Sequence, residues 1–283
     1  MKKCIRIILF LLLSVHTGCQ SSSKTGQITE GPRYVSITPA NTEILFALGL
    51  DKEIVAVTNY CNYPVRALSR EKVGTFSNPS IEKIVSLKPD IVFATGLEQA
   101  ETVRKLQLLK QNVVLIDPEN FAQLFDAISL AGKLTGRTGA AESILKSMKK
   151  RLSVIKERTT FHNRLPRILV LVSTNPLMAA GSGSFIDEMI EIAGGQNAAK
   201  DLIRPYCRIT DEFLIQKDPE LIMVLHCGMK QFIMGEDRWK NVSAVKEGRV
   251  YDDINPDILC RPGPRMIIGL EEIAKRIERV YGK

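Results

Sequence analysis

The residues of this chain suited to chemistry are few and widely spaced. Cys61, Cys207, Cys227 and Cys260 could pair as disulfides, hold a soft metal as thiolates, or fill small packing sites. No two of them form a C-x-x-C pair, so their spacing argues poorly for a metal site. Three readings stay open: a bridge Cys227–Cys260 or Cys207–Cys260, unpaired packing thiols, and a thiolate contact to a metal chelate. Of the histidines, only His162 and His226 lie beyond the N-terminal segment, too few for a His-rich zinc site. The chain has no G-x-S-x-G, no H-E-x-x-H, no P-loop and no Rossmann glycine set. This reading assigns no catalytic residue, resident cofactor or resident metal. An enzyme on a two-lobed α/β scaffold is the remote alternative.

Two carboxylates stand out by position. The stretch from Ile81 to Val92 aligns without gaps on the stretch from Asp211 to Ile222, so Glu82 matches Glu212 at an offset of 130. Each Glu opens a short helix, followed by Pro-acid and an apolar strand. An acid there complements the helix dipole whatever else it does.

The elements around these residues repeat a βα plan. In the first half, short apolar strands at Arg33–Thr38, Ile54–Val57, Ile91–Ala94 and Val113–Ile116 alternate with helical spacing over 43–48, 81–87, 100–110 and 121–134. The pattern restarts with a strand at Arg167–Val172, offset 134 from Arg33. It continues with a helix at 184–192, strands at 221–225 and 249–251, and helices at 238–245 and 265–280. Between the halves, Ile144, Leu145, Met148, Leu152 and Ile155 form one apolar stripe, opposite Lys146, Lys149, Lys150, Arg151, Lys156 and Arg158. The expected fold is α/β: two βα lobes with parallel-type sheets, residues 32–139 and 161–283, joined by one long interlobe helix at 140–160. Facing lobes of this kind bring strand carboxyl ends to a shared crevice, where such sheets bind ligands.

The N-terminal segment reads as an export signal. A short basic stretch precedes an apolar run at Ile7–Val15, too short to span a bilayer comfortably. His16-Thr17-Gly18-Cys19 resembles the lipobox of bacterial lipoproteins, with His16 where a Leu-like residue is usual. This implies a signal peptide over 1–18, lipidation of Cys19 and a flexible Ser/Gly-rich tether over 19–31. A plain secretory signal with an incidental Cys is the alternative. Removing Lys2, Lys3 and Arg6 takes the 39 basic residues to 36 against 31 acids, a balance of +5. That is mild, and no basic patch is interleaved with aromatics, which argues against nucleic acid as a partner. The expected protein is exported and held to the cell membrane, or in the periplasm, by its lipid alone.

Four stretches carry a resemblance covering Pro32 to the C-terminus. They are Thr38-Pro39-Ala40-Asn41-Thr42-Glu43, Tyr60-Cys61-Asn62-Tyr63-Pro64, Glu82 with Lys88-Pro89-Asp90, and Arg261-Pro262-Gly263-Pro264-Arg265. In this order they resemble the substrate-binding proteins of bacterial ABC importers for cobalamin, ferric siderophores and haem. The cobalamin-binding members are most similar. The resemblance implies a corrinoid site lined by Tyr60, Phe76, Thr95, Tyr206, Asp257 and Arg261. Aromatic faces would cover the corrin disc, and Asp257 and Arg261 would meet its edge amides. Thr95 stands where those members carry a third Trp, and residues near Asn175 to Met178 replace a Phe. The resemblance also implies that Glu82 and Glu212 dock on the two subunits of a permease dimer. A ferric siderophore or haem is the alternative ligand, and His226 and Tyr251 are the candidate axial ligands for haem. A continuous bridging helix implies modest closure over a largely preformed cleft.

Overall fold

The structure, a computed structural model of the chain, describes residues 31–159 and 164–281. The expected signal peptide, Cys19, the tether except Gly31, and His162 lie outside the described residues.

The first sheet holds β1 (Tyr34–Ser36), β2 (Ile54–Val57), β3 (Glu71–Lys72), β4 (Ile91–Ala94) and β5 (Val113–Leu115), all parallel, in the order β3-β2-β1-β4-β5. Helices α1 (Pro39–Ala47), α2 (Ile81–Ser86), α3 (Ala100–Leu108) and α4 (Phe121–Leu134) connect or flank these strands. The long helix α5 (Thr138–Thr159) leads to the second sheet. There β6 (Arg167–Thr174) lies beside β7 (Leu177–Ala180), with helix α6 (Phe185–Ile192) and the short β8 (Gln196–Asn197) following. Next come β9 (Tyr206–Arg208), α7 (Asp211–Lys217), β10 (Leu221–Val224), α8 (Met229–Gly235), α9 (Ser243–Lys246) and β11 (Val250–Tyr251). Helices α10 (Asp257–Cys260) and α11 (Met266–Tyr281) close the chain. The second sheet runs β11-β10-β6-β7-β9, with β8 beside β6.

The second sheet has the expected parallel core, β11, β10, β6 and β8, and adds two strands that make it mixed. Strands β7 and β9 run antiparallel to their neighbours. The Leu-Met-Ala-Ala of β7 has no β-branched residue, and β9 is three residues long, so neither carries a strand signal.

The repeat reaches individual hydrogen bonds. Ser80 caps α2 by accepting from the Lys83 N–H, and Thr210 caps α7 by accepting from the Phe213 N–H. Both helices stop at a left-handed residue before proline, Lys88 (φ 47°) and Asp218 (φ 40°). Arg33 Nε donates to the Leu87 carbonyl at 2.9 Å, and Arg167 Nε to the matching Lys217 carbonyl at 3.3 Å. The Arg33 N–H donates to Asp90, and the Arg167 N–H to Glu220.

Helix α5 has 22 residues and so is about 33 Å long. Ala141, Met148 and Ile155, seven residues apart, are buried, and Ile144, Leu145 and Leu152 are half-buried beside them. A Cβ at Gly132 would lie 2.6 Å from the Ala141 Cβ, so α4 and α5 approach closely because residue 132 has no side chain. The largest buried cluster runs unbroken from the first sheet through α4, α5, α6 and α11 to the second. Burial of this shared surface, at roughly 25 cal/mol per Å² of apolar area, couples the lobes beyond their covalent link.

Helix α11 sets α10. A Cβ at Gly269 would collide with the Ile258 carbonyl oxygen and the Leu259 side chain. Gly269→Ala is therefore expected to cost about 1–3 kcal/mol in urea unfolding, more than the roughly 1 kcal/mol of helix propensity gained. A stabilised variant would show that α10 can yield.

Candidate functional site

A cleft of about 710 Å³ opens between the sheets. The carboxyl ends of all five first-sheet strands supply one wall. Thr38, Pro39 and Ala40 follow β1, Tyr60 follows β2, Phe76 follows β3, Thr95 and Glu98 follow β4, and Ile116 to Glu119 follow β5. Gly183, Ser184 and Phe185 after β7, Pro205 and Tyr206 at β9, and Pro256, Asp257, Cys260, Arg261 and Pro262 around α10 supply the other.

All six residues expected to bind ligand, Tyr60, Phe76, Thr95, Tyr206, Asp257 and Arg261, line this cleft. Tyr60 and Tyr206 are 58% and 45% exposed, open apolar faces in a concave site. Behind Phe76 stands Gln99, a buried side chain that the sequence reading did not single out. Its Nε2 donates to the carbonyls of Ile37 and Phe76, at 2.9 and 2.8 Å, and its Oε1 accepts from the Thr95 N–H. One amide thus fixes three loops of the first-lobe wall. On the second wall, the Gly181 N–H donates to the Pro205 carbonyl and the Ser182 N–H to the Leu202 carbonyl. A Cβ at Gly181 would lie 2.5 Å from the Arg204 carbonyl oxygen, so this close pairing, which places Tyr206, needs glycine.

The first and last resemblance stretches meet next to the cleft-lining Arg261. Glu43, 3% exposed, accepts two hydrogen bonds from Arg265, whose guanidinium stacks 3.7 Å from the Tyr63 ring centroid. Arg261 donates to the Asn62 Oδ1 at 2.6 Å and pairs with Asp257 at 2.9 Å. Burial pushes the Glu43 carboxyl above the usual range despite the pull of Arg265 and Arg261. Burial also opposes the charge on Arg265, but its bonds to Glu43 more than offset this and hold the guanidinium above its ordinary value. Phe121 and Phe185 add an edge-on ring contact between lobes at 5.0 Å, beside the Phe121 N–H donating to Glu188. That ring contact contributes about 0.5–1.5 kcal/mol beyond area burial.

Phe185 also restores an aromatic residue to the second wall, after β7 rather than near Asn175 to Met178 where a replacement was sought. His226 and Tyr251 do not line the cleft, which removes both as axial ligands there. Tyr251 packs instead near Arg276 and Lys230.

Cys61, Cys207, Cys227 and Cys260 are all unbridged, so neither Cys227–Cys260 nor Cys207–Cys260 forms in this structure. Cys61 is buried, its Sγ accepting from Thr42 Oγ1 at 3.1 Å, and Cys227 is exposed beyond β10, so the four do not gather at the cleft. Cys260 lines it and Cys207 adjoins Tyr206. Among the described residues no cluster of three His, Cys, Asp or Glu side chains could hold a metal ion. Surrounding protein pushes the Tyr206 hydroxyl up to about 12, with nearby Cys260 and Glu98 adding to the shift. Cys260 is itself exposed at the open cleft, but the protein crowding it pushes its thiol up to about 11, with Asp257 adding to the shift and Arg261 opposing. With its thiol at about 11, Cys260 should alkylate with iodoacetamide at pH 8 roughly tenfold more slowly than an ordinary thiol, because its smaller thiolate fraction outweighs the higher nucleophilicity, and should speed up until about pH 11. Peptide mass spectrometry across pH reads this out, and a rate plateau below pH 9 would contradict it.

Glu82 and Glu212 are not among the residues that line the cleft, although Glu82 shares a neighbouring surface depression with Glu98. Both are exposed in the first turns of α2 and α7. Backbone N–H groups of their own turns, then the cap hydroxyls of Ser80 and Thr210, hold both carboxyls below the usual range.

The family profile described as periplasmic binding protein matches residues 35–255. The chain belongs to this family. YvrC of Bacillus subtilis, named an ABC transporter substrate-binding lipoprotein, is 33% identical to this periplasmic binding protein over 255 residues, covering 88% of this chain and 80% of YvrC. A vitamin B12-binding protein of Vibrio cholerae is 28% identical over 244 residues, covering 85% of this chain and 87% of its own. The crystal structure of the periplasmic vitamin B12 binding protein BtuF of Vibrio cholerae superposes with a TM-score of 0.79 at 25% identity, covering 90% and 99% of the two chains. The heme-binding protein RhuT of Roseiflexus sp. RS-1 shares the fold, with a TM-score of 0.79 at 22% identity, covering 89% and 99%. This protein is thus a substrate-binding protein of ABC import and not an enzyme. Among the described residues no helix is long and apolar enough to cross a membrane.

Proposed function

We propose that this protein captures cobalamin or a related corrinoid in the interlobe cleft and delivers it to an ABC importer. The observation that carries the reading is the composition of the cleft, where Tyr60, Phe76 and Tyr206 surround a space of about 710 Å³ with Asp257 and Arg261 at its edge. A corrin is a broad disc with apolar faces and an amide rim, so aromatic walls and a paired acceptor and donor match it. The likeness to vitamin B12-binding proteins over nearly the whole folded region supports the same ligand class.

Delivery rests on Glu82 and Glu212. These exposed acids occupy equivalent positions in the two halves, as a permease dimer with one basic pocket per subunit requires. The lobes, residues 32–139 and 161–283, keep their spacing through the bridging helix. Lipidation at Cys19 would hold the protein at the membrane, and the lipoprotein name of YvrC supports that anchor.

Haem is the competing ligand, because two tyrosines stand in the cleft and a phenolate can ligate iron. The raised Tyr206 hydroxyl, at about 12, opposes that role. Titration of the purified protein with cyanocobalamin, haem and a hydroxamate siderophore, followed by calorimetry and absorbance, tests the reading. Submicromolar binding of the corrinoid alone is expected, and haem binding without corrinoid binding would overturn it.

A further inference from the structure

We propose that Glu98, Asp117 and Glu119, on the first-lobe wall, select ligands whose rim donates hydrogen bonds or carries positive charge, and turn away ligands rimmed with carboxylates. This rests on the corrinoid reading and narrows it. An amide-rimmed corrin is taken, and the same corrin rimmed with acids is refused.

The three acids are placed together by the sheet. Glu98 follows β4, and Asp117 and Glu119 follow the adjacent β5, so all three face the cleft from one side. Asp117 Oδ2 accepts from the Gly96 N–H at 2.9 Å, and no ion pair engages any of the three among the described residues. Across the cleft, Arg261 is the one basic residue among the described lining residues. It is already committed to Asn62 and Asp257 and lies 3.6 Å from Glu43. Arg265 behind it is held by Glu43. The second-lobe charges therefore cancel locally, and the first-lobe acids do not.

Two helix N-termini also open on the cleft, those of α1 and α6. Each is closed by its own cap, Thr38 accepting from the Asn41 N–H and Ser184 from the Asp187 N–H. Asp187 and Glu188 occupy the first turn of α6 and offset its dipole. The acidic wall also runs against the charge of the whole chain, which is +8. It is a local feature, laid where a ligand rim would come to rest. All three acids are exposed in the open cleft; a ligand that fills it displaces their water, and carboxylates so covered accept from amide N–H groups and repel acids more strongly than they would in bulk water. Selection of this kind works as much by repelling the wrong ligand as by holding the right one.

The test compares two corrins that share a macrocycle. Cobinamide carries amides around the ring, and cobyrinic acid carries carboxylates in their place. Calorimetric titration of the full-length protein should show cobinamide binding at least about 100-fold more tightly. In Glu98→Gln/Asp117→Asn/Glu119→Gln the gap should narrow by about tenfold or more, since the amides keep shape while losing charge. The smaller change Glu98→Gln/Glu119→Gln, at two exposed positions, should narrow it in the same direction and serves if the triple variant misfolds. Equal affinity of the unaltered protein for both corrins, or a gap unchanged in the variants, overturns the selection alone. Failure to bind either corrin overturns the corrinoid reading, and the selection with it.

Discussion

Replacing Glu82 and Glu212 together by alanine is expected to abolish uptake while leaving ligand affinity within about twofold. Both side chains lie in first turns on the protein surface and neither lines the cleft, so their loss removes no lining group. Each is held below the usual carboxyl range by its own helix turn and cap, which keeps it charged well into acid and presents a fixed anion to a basic partner. Docking through two equivalent charges is bivalent, so losing one should weaken delivery and losing both should end it. Uptake of radiolabelled cobalamin in cells carrying the cognate importer, beside calorimetry on the purified variants, separates the two functions. Wild-type uptake by the double variant, or collapse of its ligand affinity, would sink the docking role.

The second large effect is expected at the buried Glu43–Arg265 pair. Arg265→Ala leaves Glu43 buried without its bidentate partner, and breaking a buried pair of this kind costs about 3–5 kcal/mol. The loss should depend on pH, and its sign follows from the raised Glu43 carboxyl. A folded value above the unfolded one gives stability that is fully present below the unfolded value and lost as pH rises through the folded one. Removing Arg265 raises the folded value further, so the variant should be most impaired at pH 8 and recover part of the loss near pH 4.5. Urea unfolding at both values checks this. A penalty below about 1 kcal/mol, or one that does not change with pH, would show that the pair is incidental. The pair also joins residues 222 apart in sequence, one from each half of the chain, so its loss should loosen the cleft as well as the fold.

How much of this was legible beforehand follows from the physics of each feature. The βα repeat was readable because capping residues, the Pro-acid break and apolar strands are local signals, and the offset of 130 survives down to paired hydrogen bonds. The bridging helix was readable from its stripe, although only Ala141, Met148 and Ile155 are fully buried. Strands β7 and β9 were not readable, because they exist through pairing with β6 and each other rather than through β-propensity. Gln99 was hidden for the same reason: a buried amide that ties Ile37, Phe76 and Thr95 leaves no pattern in sequence. The cysteines' surroundings were not readable, because adjacency to a cleft residue says nothing about the direction of a side chain. Cys61 follows Tyr60 yet points into the core, toward Thr42 and Thr58. The placement of the cleft side chains was more legible than the second sheet. Tyr60, Phe76 and Thr95 sit just past strand ends, where an α/β sheet delivers its loops to a crevice regardless of loop detail.

A crystal structure of the full chain with cyanocobalamin tests the central claim most directly. The corrin ring should lie between the first-lobe faces of Tyr60 and Phe76 and the second-lobe face of Tyr206, with its amide rim at Asp257 and Arg261. A saturated crystal with an empty cleft, or with the corrin on another surface, would contradict the account.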